Sequence, residues 1–196
     1  MRSDRAAAGA AVALGALGAL AGALAGCRIT DLERPIGLLA DGLDERDRAN
    51  LEEAAACWNL RFGTRFVFGD EAAAAEQHVE AFYDEHTCIH TPAQVQAGWT
   101  HALAICPRGL TRRFGDFMFR VLSHELGHVL NIVGHPDDPA AVMQRGGELQ
   151  DDMFRPVDVM MFGDANPGFF AVASCARVVR SIRPDDDRVS RCVCED

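Results

Sequence analysis

Five residues, His124-Glu125-Leu126-Gly127-His128, constrain this chain more than any other stretch. In an α-helix, residues four apart share a face and lie about 6 Å apart, so H-E-x-x-H aims two imidazoles at one ion. The run Phe117-Met118-Phe119-Arg120-Val121-Leu122 leads into the motif and supplies the amphipathic helix it requires. Glu125 follows the first ligand directly. There a carboxylate can take a proton from a zinc-activated water, whose pKa falls to about 7 in such sites. The expected ion is therefore Zn2+, with His124 and His128 as metal ligands and Glu125 as general base. The expected chemistry is peptide hydrolysis.

A catalytic zinc usually takes three protein ligands and keeps one position for water. The nearest third candidate is His135, seven residues after His128. The stretch HELGHVLNIVGHPDDPAAVM, residues 124–143, resembles the metzincin clan of metallopeptidases and, within it, the matrixin-like bacterial members. The resemblance implies His124, His128 and His135 as ligands, Glu125 as base, and Met143 as the methionine of a tight turn beneath the metal. Asn131 stands where the clan has a glycine that leaves the helix through a left-handed conformation, which Asn tolerates better than most residues. Six residues separate His128 from His135 where the clan has five, and Gly134 offers the backbone freedom to absorb the extra one. An alternative third ligand is Glu148, twenty residues after His128, a spacing that resembles the thermolysin-like glutamate. That glutamate comes from a helix, whereas Pro136, Pro139, Gly146 and Gly147 favour loop here and hence His135.

The beginning of the chain reads as an export signal. Arg2 and Arg5 form a short positive region, Ala6 to Ala23 is apolar, and Leu24-Ala25-Gly26-Cys27 closes it. LAGC resembles a bacterial lipobox. It implies cleavage after residue 26, lipidation of Cys27, and attachment to the membrane surface of the cell envelope. The expected organisation is signal peptide 1–26, tether 27–42, peptidase domain 43–163 and cysteine-containing tail 164–196. Net charge is −10 and every basic residue other than histidine is arginine. The acidic balance offers no basic patch for nucleic acid. Cys57, Cys88, Cys106, Cys175, Cys192 and Cys194 remain beyond the lipobox, an even number that suggests up to three disulfides in an exported chain. Three precede the motif and three follow it, so complete pairing ties the tail to the domain.

Between these landmarks, Asp44 caps a helix expected to run to about Leu60, with Leu43, Leu51, Ala54, Ala55 and Trp58 on its apolar stripe. Strands are expected at Thr64–Phe68, Val79–Tyr83 and Trp99–Cys106. By the resemblance, the last of these is an antiparallel sheet edge that pairs with substrate. A closing helix is expected from Pro156, ending before Gly163. The fold class expected is α/β (α+β), zincin or metzincin-like: a small twisted sheet, an active-site helix and an irregular C-terminal part. The function expected is a monomeric, membrane-anchored zinc endopeptidase acting on protein or peptide substrates. The competing reading is a non-catalytic, zinc-containing surface lipoprotein.

Overall fold

The computed structural model describes residues 30–87, 92–96, 101–107, 115–144, 152–169, 175–182 and 190–195. Helix α1 (Glu45–Phe62) opens at Asp44, whose carboxylate accepts the Asp47 N–H at 2.9 Å. It closes at Gly63, whose φ of 66° is the left-handed geometry that glycine adopts without steric cost. Leu51, Ala54, Ala55 and Trp58 are all buried, as their helical spacing predicts. After α1 come strand β2 (Phe66–Val67), the short helix α2 (Gly69–Ala74) and strand β3 (Gln77–Tyr83). Two further strands, β4 (Ala93–Gln96) and β5 (His101–Ile105), precede helix α3 (Gly115–Val129), which carries the motif.

Strand β1 (Ile36–Leu39) precedes all of these and lies within the region expected to be a tether. It is an interior strand of the sheet, whose order is β2-β1-β3-β5-β4. The bonds β1–β2, β1–β3 and β3–β5 are parallel, and only β4 runs antiparallel. Ile36 and Leu38 are fully buried, which explains why no polar alternation marks the strand in the sequence. Strand β5 also departs from expectation: it is interior, between β3 and β4, and the antiparallel edge is β4. The apolar segment Ala102–Ile105 is thus a core strand, while Ala93-Gln94-Val95-Gln96 carries the polar, outward residues of an edge.

Helix α4 (Pro156–Ala165) runs through Gly163 instead of stopping before it. Asn166 ends it, its amide donating to the carbonyls of Phe162 and Leu130. Strands β6 (Arg177–Ile182) and β7 (Ser190–Glu195) pair antiparallel and pack on α1. Cys175 and Val178 belong to the same apolar core as Trp58, so the described part of the tail is built into the domain. Among the described residues the fold is mixed α/β, with a mostly parallel five-stranded sheet, a two-stranded antiparallel pair and four helices.

Among the described residues, two cysteine pairs stand at disulfide spacing. Their Cα atoms are 5.4 Å apart at Cys57 and Cys192, and 5.5 Å apart at Cys175 and Cys194. The first closes a loop of 135 residues across the domain. Cys57→Ser is expected to cost about 2–4 kcal/mol of stability in the oxidised protein and little in reductant. Peptide maps of the unreduced chain should show both linkages, and free thiols at these four positions would contradict the pairing.

Candidate metal centre

The motif helix α3 packs against α1, and its register is fixed there by Trp58, whose indole N–H donates to the Ser123 carbonyl at 2.9 Å. The next residue is His124. Its Nδ1 lies 2.9 Å from the Val142 carbonyl, and the His128 Nδ1 lies 2.8 Å from the Ile132 carbonyl. A ring nitrogen facing a carbonyl carries the proton, which leaves each Nε2 with its lone pair available to an ion. Burial and the neighbouring histidines push the His124 pKa down to about 4, so this imidazole is neutral at physiological pH.

The chain then turns back to bring in the third histidine. Ile132 N–H bonds to the Gly127 carbonyl and Asn131 N–H to the His128 carbonyl, the pair of bonds that closes a helix in a Schellman turn. Asn131 holds the left-handed position at φ 67°, as expected of the residue replacing glycine there. Gly134 adds a second positive φ, 96°, in the segment that carries the extra residue. His135 consequently stacks on His124, with ring centroids 5.0 Å apart and planes 10° from parallel. The three candidate ligand atoms of His124, His128 and His135 all lie within 4.8 Å of one another. Three imidazoles converging on one point form a donor set suited to zinc.

Glu125 lies on the same helix and is only 7% exposed. Burial raises its pKa to about 7, and the Val95 N–H on edge strand β4, donating to Oε2 at 2.8 Å, partly offsets that rise. A carboxylate tuned near neutrality can both accept and return a proton. The sequence offered no signal for Val95, because the contribution is its backbone N–H.

Met143 is fully buried beneath the helix. A Cβ on Gly127 would overlap the Met143 sulfur and come within 3.1 Å of Trp58 Cζ2, so any larger residue forces the buried Met143 side chain to shift. Gly127→Ala is therefore expected to destabilise the fold by about 1–3 kcal/mol, read as a lower midpoint in denaturant. An unchanged midpoint would show that Met143 packs elsewhere.

The turn that carries Met143 is held from two sides. The carboxylate of Asp158, on α4, accepts the N–H groups of Val142 at 3.1 Å, Met143 at 3.0 Å and Arg155 at 2.9 Å. Arg120, on α3, donates to the carbonyl of Gln144 at 2.9 Å and reaches that of Ala141 at 3.4 Å. Both side chains are buried. Since the Val142 carbonyl orients His124, these two residues support the metal centre at one remove. Arg120 and Asp158 were not singled out by sequence, although Asp158 follows Pro156 in the first turn of a helix, where an acid commonly caps.

Glu148 and Cys27 lie outside the described residues. Compared with known proteins, the sequence matches no family model and no curated protein.

Proposed function

We propose that the chain is a zinc-dependent endopeptidase of metzincin type, held at the membrane surface through acylated Cys27 and acting on protein or peptide substrates. The observation that carries this reading is the convergence of His124, His128 and His135 within 4.8 Å, with the buried Glu125 carboxylate on the same helix. His124, His128 and His135 would hold the ion. When bound, zinc supplies a Lewis acid that polarises the substrate carbonyl and acidifies water.

The chain's own groups do the rest. The Val95 N–H fixes the Glu125 carboxylate through Oε2. Glu125 takes a proton from the attacking water as its oxygen bonds to the peptide carbon. It then passes that proton to the leaving nitrogen as the C–N bond breaks. Edge strand β4 supports the reading of an extended substrate. Its outer side carries no strand among the described residues, and it ends beside the base. A competing role as a metal-holding binding protein has no use for a buried, oriented base.

The reading is tested with zinc-loaded protein and a library of unstructured peptides. It requires cleavage that a chelator stops, that zinc restores, and that Glu125→Ala abolishes with the ion still bound. Absence of any cleavage by the folded, zinc-loaded chain would leave the binding protein as the better account.

A further inference from the structure

The first described residue, Thr30, is fastened to the end of the motif helix. Its hydroxyl donates to the Val129 carbonyl at 2.5 Å, and its N–H donates to the Asn131 side-chain oxygen at 2.8 Å. The Asn131 amide returns a bond to the Thr30 carbonyl at 3.0 Å and reaches the side-chain oxygen of Asn166, which caps α4, at 2.9 Å. Thr30 is buried. This is the opposite of a flexible tether.

Only Arg28 and Ile29 separate Thr30 from Cys27. Three residues of extended chain span at most about 11 Å. Adding the Thr30–Val129 bond and one step along the chain places the Cys27 Cα within about 22 Å of the His128 Cα. A free linker through residue 42 would instead have reached about 50 Å, more than the roughly 40 Å diameter of a domain this size. Attachment at Cys27 therefore fixes a side of the molecule. On that side, two residues past Asn131, stands Val133, a large apolar side chain left 91% exposed between His128 and His135.

Resting on the acylated-Cys27 reading above, we infer that the Thr30–Asn131–Val133 face lies directly on the bilayer. The three-histidine centre then works on peptide segments that emerge close to the membrane surface. A single valine is too little apolar area to hold a domain on lipid, so the acyl chains supply the affinity and the short connection supplies the orientation. Asp31, Glu33, Arg34 and Asp137 are exposed in the same segments, and Arg34 is paired with Asp31 and Glu76, so the face has no cationic excess to draw it to anionic lipid.

The test uses the full acylated chain in phosphatidylethanolamine–phosphatidylglycerol vesicles containing lipid with a nitroxide near the headgroup. Val133→Trp places a fluorophore on the face at an exposed position, and the spectrum of the unsubstituted chain is subtracted. A second sample carries the same substitution with twenty Gly/Ser residues inserted between Arg28 and Ile29. That linker has a mean span of about 25 Å, so its emission in the nitroxide vesicles should be roughly two-fold that of the directly attached form. Equal emission from the two, with both acylated by intact mass and both sedimenting with vesicles, would overturn the orientation and leave the anchor standing. A mass without acyl groups at Cys27 would overturn the anchor itself, and the orientation with it.

Discussion

Replacing Glu125 with alanine is expected to lower peptide cleavage by about 10²–10⁴-fold or more, the range a positioned acid–base group contributes. Zinc should remain at one ion per chain, because the Glu125 carboxylate is not among the converging ligand atoms. The fold should not suffer. Removing a buried carboxylate whose pKa stands near 7 relieves a desolvation cost, which offsets the loss of an acceptor for the Val95 N–H. Turnover by single-concentration assay is insufficient here. The rate constant and the metal content must be measured on one preparation, so that loss of chemistry is separated from loss of the ion. Activity falling in step with zinc content would remove Glu125 from the role of base.

The second large effect is expected at Asp158, which never approaches substrate. Asp158→Ala leaves the N–H groups of Val142, Met143 and Arg155 without their acceptor and leaves Arg120 buried without its compensating charge. Breaking one partner of such an arrangement costs about 3–5 kcal/mol. The turn then loosens, and with it the Val142 carbonyl that orients His124. Zinc affinity is expected to fall about 10–100-fold in whatever fraction remains folded, the usual effect of losing a group that supports a ligand. Asp158→Asn keeps one acceptor oxygen and should fall between the two. Competition titration with a chromophoric chelator reads the affinity, and native-like affinity in a folded Asp158→Ala protein would show the turn to be rigid without it.

How much of this was legible in the sequence follows from the range of the interactions. Local chemistry was readable: the i and i+4 histidines, the Asp44 cap, the left-handed Asn131, the glycine at 134 and the apolar stripe of α1 all act within one or two turns of chain. What failed was long-range. Ile36-Gly37-Leu38-Leu39 became an interior strand because its parallel partners in β2 and β3 lie 30 and 41 residues later in register, and four apolar residues after a proline do not announce that. The identity of the sheet edge was misjudged for the same reason: β5 is the more strand-like segment because it is interior. Thr30 bonds to residues about a hundred positions away, so its role belongs to no local pattern. Asp158 carried no signal of its own in the sequence, because holding the turn beneath the metal needed the fold to bring α4 there.

The central claim is that three histidines, and not two histidines with a distant glutamate, hold one zinc ion. It is tested most directly by the zinc content of a soluble chain beginning at Arg28, measured beside its His135→Ala and Glu148→Ala forms after exhaustive dialysis. The account predicts one zinc per chain in the parent and in Glu148→Ala, and far less in His135→Ala. Full zinc in His135→Ala with loss in Glu148→Ala would contradict it, moving the third ligand to the glutamate and withdrawing the metzincin reading. A folded parent that binds no zinc would contradict it more completely.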